Sequence, residues 1–318
     1  MNFMSSKDSN QTIKWIKKRL MILSLFFFTA SPWLKLNWHK TMVTKIISFY
    51  SFKSIGCTTA IAFIAKHLAK KGKKVAVIDF NFESPNISSL LPLETFQYKG
   101  VVDYFYERSL SLSHQYSTTI NDICYRCNLS QNISVIPTGD IDEYYIHRAS
   151  ELDRGLIASF YKKDFNPIRA LINDVKKLIK PDVILIDTNS GINDLSSIAI
   201  NDLSDVVYIN LFPNEIHFRG ITIILEAIRR AKFNNKRKQP VINFVLLPLP
   251  YMQKKKLLNK VDQWFLKNNI KDFSNIYSVD YNYQIVLSGI DIDESIYTDY
   301  KIIADSIWKN KKSYLGFI

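Results

Sequence analysis

Glycine is scarce in this chain, with 9 residues in 318. A phosphate-binding loop uses glycine for close backbone approach, so the shortage counts against tight nucleotide binding. Cysteine is scarcer still, at three. An odd number excludes a fully paired disulfide framework and fits a reducing compartment. The five histidines are scattered, no HExxH occurs, and no Ser, His and Asp fall at a catalytic spacing. Zinc-peptidase and serine-hydrolase chemistry therefore have no support in the pattern. Internal repeats are absent. Acidic residues are outnumbered, 29 against 42 basic, for a formal net charge of +13.

What is present suits a globular chain. Hydrophobic residues make up 47%, ample for a core, and 22% charged residues argue against global disorder. The length allows one large α/β domain or two small ones. The lysines are scattered rather than gathered, which favours a solvated basic surface; the sharper alternative is attraction to DNA or to an anionic membrane. Residues Met1–Thr41 read differently from the rest. Lys17-Lys18-Arg19 precede an apolar run, Leu20–Ala30, too short for the ~20 residues of a bilayer span. Its length is that of a signal-peptide core, but Phe28 falls where a small residue belongs before a cut after Ala30. The favoured expectation is an N-terminal extension, or translation starting at Met42, before a single domain over 42–318. A membrane-surface anchor is the alternative.

The most informative stretch is Lys45–Ala60. A β-rich run, Ile46–Tyr50, leads through Ser51-Phe52-Lys53-Ser54-Ile55-Gly56-Cys57-Thr58-Thr59 into a helical pattern with Ile61, Ile64, Ala65 and Leu68 on one face. Strand, short loop and helix is the context in which loop amides and a helix N-terminus hold a phosphate. A threonine at the end of the loop suits Mg²⁺. Lys74–Phe80 reads as a buried strand and runs into Asn81-Phe82-Glu83-Ser84-Pro85. Asp182–Ile186 is another, ending in Asp187-Thr188-Asn189-Ser190-Gly191. An acid at the C-terminal edge of a strand is where an α/β sheet holds Mg²⁺ and phosphate. Taken alone, Asp187 reads equally well as a capping residue.

These three motifs, in this order and spacing, resemble those of the ParA/MinD ATPases. Their deviant phosphate loop reads K-G-G-x-G-K-T-T, or K-G-G-V-G-R in one branch. Lys53, Gly56, Thr58 and Thr59 match it; Ser54 replaces a glycine, one loop residue is missing, and Cys57 replaces the basic residue before the threonines. Against the family's V-D-F-D-x-E-x-P-G pattern, Asp79, Phe80, Glu83 and Pro85 match, while Asn81 stands where an Asp helps to place the attacking water. Asp187 and Gly191 match the D-x-x-x-G of a switch loop. Pro213-Asn214-Glu215 and Arg219-Gly220 are similar to a family segment beside the adenine and at the dimer edge, although Asn214 after Pro at a helix start also reads as a cap. Lys99–Tyr104 resembles a segment of the K-G-G-V-G-R branch.

The resemblance covers most of Thr44–Ala304. The alternation of strand and helix patterns gives a doubly wound, mostly parallel sheet of about seven strands with helices on both faces; the resemblance implies more. It implies ATP at Ser54–Thr59 with Asn214 near the base, Mg²⁺ at Thr58, Asp79 and Asp187, and catalytic roles for Lys53, Asn81 and Asp187. It also implies a cytoplasmic homodimer, or a pair with a related ATPase, whose grip on DNA, membrane or a protein partner follows the nucleotide. The loss of a cation at residue 57 and of a carboxylate at residue 81 would each slow hydrolysis by orders of magnitude. The leading expectation is a nucleotide-binding switch or scaffold with little turnover. A working ATPase relying on Lys53, and a nucleotide-free module holding DNA or membrane, are the alternatives. Elsewhere, Glu143–Phe160, Phe165–Ile179, Tyr251–Asn268 and Ile296–Trp308 read as helices, Thr95–Gln131 as less regular, and Ile276–Val279 as an edge strand. Cys124 and Cys127 form a lone CxxC, short of a tetrahedral metal site unless a dimer brings two together.

Overall fold

The computed structural model describes residues 43–95, 98–110, 117–152, 166–234, 239–284 and 297–308. Eight strands form one sheet: β1 (Lys45–Ser51), β2 (Val75–Phe80), β3 (Tyr125–Cys127), β4 (Ser130–Ile136), β5 (Val183–Thr188), β6 (Val206–Leu211), β7 (Val241–Leu249) and β8 (Asn275–Asp280). Their order is β3-β4-β2-β5-β1-β6-β7-β8, and every pairing is parallel except β3 with β4. The expected doubly wound, mostly parallel sheet of about seven strands is thus observed, with one strand more. The extra strand is the three-residue β3, too brief to show a period of two and formed by antiparallel pairing to β4, with a bridge from Cys127 to Leu93 on its other side.

The sheet is covered on both faces, as parallel strands linked by crossover helices require. Alternate residues of β1 show the division. Ile47 and Phe49 join a cluster with Phe63 and Leu68 of α1 (Cys57–Lys70) and Ile303 of α8 (Thr298–Ser306). Ile46 faces the other way, with Val102 and Phe105 of α2 (Val101–Leu110), Leu171 and Val175 of α4 (Pro167–Leu178), and Leu195 of α5 (Asp194–Ile198). Tyr50 also faces that way, with Ile221 and Leu225 of α6 (Glu215–Asn234) and Val261, Trp264 and Phe265 of α7 (Lys254–Lys267). The inner face expected for the lysine-rich α7 is the one observed, with Leu257 and Leu258 half-buried at its edge. The short α3 (Tyr145–Glu151) lies within the span expected as a helix over Glu143–Phe160; residues 153–160 of that span lie outside the described residues. The stretch expected to be less regular, Thr95–Gln131, contains α2; Val101, Val102, Tyr104 and Phe105 in its N-terminal half are all buried, so no one-sided stripe marks the helix in the sequence.

The consequence for function is topological. β1 lies between β5 and β6, and the chain leaves it toward β2 on one side while later strands build out on the other. Such a switch point opens a crevice at the C-terminal ends of the strands, where β1, β2 and β5 deliver Ser51, Phe80 and Thr188.

α8 is secured to α1 by two kinds of contact. Phe63 stacks on Tyr297 and Tyr300, with ring centroids 4.4 and 5.3 Å apart. Asp305 accepts from His67 Nε2 at 2.9 Å and from Lys71. Burial alone would raise the Asp305 carboxyl, but the hydrogen bonds and charges of Lys71 and His67 hold it below the ordinary carboxylate value. A depressed acid contributes stability above its unfolded pKa of about 3.9 and loses it as pH falls through the folded value. Asp305→Asn is therefore expected to lower unfolding stability in urea by about 1 kcal/mol or less at pH 7, and to have no effect near pH 2. An undiminished difference at pH 2 would show that the pair is not responsible.

Candidate functional site

The loop after β1 turns through Ser51–Gly56 and enters α1 at Cys57. Gly56 has φ +59, a left-handed conformation that costs other residues strain. Lys53 and Ser54 are exposed on the loop, whereas Cys57 is buried. The Cys57 thiol belongs to the core under α1; burial pushes its pKa up, and the charge of Asp187 adds to this against a hydrogen bond with Ser51. What residue 57 offers the crevice is its backbone N–H, at a helix N-terminus with no acid in the first turn.

The centre of the site is an acidic pair. Asp79 and Asp187 sit opposite one another in the register of β2 and β5, at the C-terminal ends of both strands. The Thr58 hydroxyl, one residue into α1, donates to Asp187 Oδ2 at 2.5 Å. Asp79 Oδ1 accepts from the Asn81 amide at 2.8 Å. The other oxygens, Asp79 Oδ2 and Asp187 Oδ1, are buried without a hydrogen-bond partner. Burial is the main cause raising both carboxyls. Asp79 is pushed well above the usual range, with the charge of Asp187 adding to the effect, and Asp187 is pushed to about 7 despite Thr58. Two facing carboxylates with orphaned buried oxygens suit a hard divalent cation, which would supply the missing positive charge.

The loop after β5 is fastened to the end of β1. The Gly191 amide donates to Ser51 O at 3.1 Å, and the Tyr50 hydroxyl donates to Gly191 O at 3.0 Å. It also meets the loop after β2, since Glu83 N donates to Asn189 Oδ1 at 3.4 Å. Asn81 is half-buried there, and its side-chain amide donates to Ser84 O at 3.0 Å, which holds its own turn. The structure thus brings Thr58, Asp79 and Asp187 together, places Asn81 on the adjoining loop, and leaves Lys53 exposed on the phosphate loop. Asn214 Oδ1 accepts from His217 N at 3.0 Å, the cap geometry weighed as its alternative.

Sequence reasoning missed three supports. Asn210, buried in β6, donates to Ile55 O at 3.3 Å and so anchors the loop. Its signal was a polar residue inside the apolar run Val206–Leu211. His217, buried on α6, has no partner for Nδ1, and its pKa is lowered by burial and by the charge of Lys53. Phe52 lies directly against Gly220 of α6: a Cβ there would fall 2.0 Å from the ring. By contrast, Cys124 and Cys127 gather no further ligand. Among the described residues no group of three or more His, Cys, Asp or Glu is placed to hold a metal. Burial raises the thiol of Cys124 to about 11 and raises that of Cys127. No described helix is long and apolar enough to cross a membrane.

Comparison with known proteins agrees with this geometry. A family model described as an AAA domain matches residues 44–241. No curated protein matches. Among solved structures, the McdA–ATP complex of Cyanothece is 14% identical, with 83% of this chain and 94% of that one covered and a TM-score of 0.62. The septum site-determining protein MinD of Pyrococcus horikoshii, complexed with Mg-ADP, is 16% identical, with 84% and 97% covered and a TM-score of 0.60. A putative plasmid partition protein of Borrelia burgdorferi bound to AMPPNP is 19% identical, with 83% and 96% covered and a TM-score of 0.54. At such identities the likeness shows the fold. The family match, over most of the chain, shows that this chain belongs to the AAA-domain family, and its fold is the one seen in the ParA- and MinD-type proteins.

Proposed function

We propose that this protein is a nucleotide-binding switch that takes MgATP at Ser54–Thr59 and turns it over slowly or not at all. The observation that carries the reading is the pair of unpartnered, buried carboxylate oxygens on Asp79 and Asp187, beside the Thr58 hydroxyl at the N-terminus of α1. A bound Mg²⁺ would neutralise this pair and polarise the phosphates held by the loop. Thr58 and Asp187 would hold the ion, with Asp79 close by, and the free amides at the start of α1 would face the phosphate oxygens. Lys53, exposed on the loop, supplies the cation that residue 57 cannot. Its reach suits either its own nucleotide or that of a second copy, so a homodimer or a pair with a related ATPase fits the site.

The hydrolytic side of the site is weaker. Asn81 can orient water but neither accepts its proton nor adds negative charge, and its side-chain N–H is already engaged with Ser84. The buried Cys57 brings no cation to the developing phosphate charge, which leaves Lys53 to answer it alone. Gly191 and Ser51 are joined by one hydrogen bond, so a γ-phosphate that drew on the Gly191 amide would break that link and shift the switch loop. Three free thiols suit the cytoplasm. The +13 surface remains available to DNA or an anionic membrane as the object of the switch.

Calorimetry on the full chain tests the reading. MgATP is expected to bind at micromolar Kd, weakened at least about tenfold in Lys53→Ala and in Thr58→Ala. Phosphate release should not exceed that of Asp187→Ala. Turnover that disappears in Asp187→Ala would instead establish the working ATPase. No heat at millimolar MgATP would leave a nucleotide-free interaction module. The acidic pair makes a separate prediction. Because folding raises the Asp187 pKa, the folded state holds a proton that the unfolded state releases, so stability falls as pH rises from about 4 to about 7. Without Mg²⁺, Asp187→Asn should raise the thermal midpoint at pH 8 by at least about 2 °C and make no such gain at pH 4. Mg²⁺ should stabilise only the parent. A fall at pH 8 would contradict the assigned strain. Finally, Gly220→Ala must push Phe52 aside, costing about 1–3 kcal/mol and weakening MgATP binding measured by the same calorimetry.

A further inference from the structure

A second recess lies on the outer side of α6 and α7, a groove of about 450 Å³. Its floor is the stacked pair Phe218 and Trp264, with centroids 4.5 Å apart and planes within 14°. One wall carries Ile223, 52% exposed, and Arg219; the other carries Lys260 and Lys267. The three cations are exposed, and none is joined to a carboxylate of the described residues. Lys260 Nζ lies 5.9 Å from the centre of the Phe218 ring. Among the described residues the only acid lining the groove is Glu215, so three positive charges face one negative. The α6 wall also abuts the phosphate loop through Phe52 and Gly220.

We infer that this groove docks an acidic amphipathic peptide or helix of a partner protein, one that seats an apolar side chain over Phe218 and Trp264 and sets carboxylates against Arg219, Lys260 and Lys267. Charge complementarity selects the acidic partner. The shape selects a peptide over a nucleic acid: a duplex backbone meets cations on an open face, whereas a recess floored by aromatic rings between two helices takes an inserted side chain. The assignment concerns a surface outside the phosphate crevice and holds whether or not nucleotide binds there.

The test uses the full chain and three fluorescein-labelled probes followed by anisotropy: a 15-residue Glu/Leu peptide with leucines at i, i+3, i+4 and i+7, the same peptide with Lys for Glu, and a 20-bp duplex DNA. The Glu/Leu peptide is expected to bind saturably, with Kd on the order of 10 µM. Binding should fall at least tenfold in the double variant Arg219→Glu, Lys260→Glu and in the groove-filling Gln263→Trp, and stay within twofold in Lys177→Glu on α4. The Lys/Leu peptide should not bind. Thermal midpoints confirm that the variants fold, and Gln263→Trp keeps the test open should the double charge reversal fail to fold. The inference is overturned if the Glu/Leu peptide does not saturate, if both groove variants bind it as the parent does, or if only the duplex binds and loses affinity in those variants.

Discussion

Two carboxylates face each other at the ends of adjacent strands, out of water, with one hydroxyl between the helix and the sheet to answer them. Asp79 and Asp187 share a rung of the β2–β5 ladder. Like charges so placed disfavour ionisation of both, and burial compounds the effect. Sites of this kind are poor devices for stability and good ones for binding a cation. The surrounding elements hold this pair in place. β1 lies beside β5 in the sheet, α1 brings Thr58 onto Asp187, and the loops after β2 and β5 brace one another through Glu83 and Asn189.

The phosphate loop itself is held from several sides by residues that never enter the motif. Asn210 of β6 grips the Ile55 carbonyl, Phe52 fills the space left by Gly220 on α6, and Tyr50 and Ser51 secure the loop that carries Gly191. These contacts offer a physical reason why a loop with a single glycine, Gly56, keeps its course. They also connect the loop to α6, so that movement of Phe52 would reach the outer face of that helix. On the proposed reading of a slow switch, the Cys57 thiol, turned into the core, and the Asn81 side-chain amide, engaged with its own turn, bring no charge to a phosphoryl group.

Much of the fold was legible because its determinants are local. A run such as Val-Ile-Leu-Ile is apolar whichever neighbours it meets, and its alternation with amphipathic stretches implies parallel strands joined by crossover helices. The strand without a sequence signal, Tyr125–Cys127, has three residues and exists through its pairing with β4 and the bridge from Cys127 to Leu93. α2 lacks a signal too, because Val101, Val102, Tyr104 and Phe105 are all buried and show no one-sided stripe.

The candidate site divides along the same line. By itself the sequence determined which residues stand at the ends of the strands: Lys53, Gly56 and Thr58 after β1, Asp79 at the end of β2, and Asp187 at the end of β5 with Gly191 beyond it, since each follows an apolar run at short range. Only the tertiary structure decided that Asp79 and Asp187, more than a hundred residues apart, fall on one rung with an unpartnered oxygen each. It alone turned Cys57 inward, set Asn210 and Phe52 to hold the loop, and opened a basic groove between α6 and α7. The physical reason is that burial, strand register and the pairing of polar atoms are properties of contacts between distant segments. A local pattern names the residues that can meet, and packing settles which of them do.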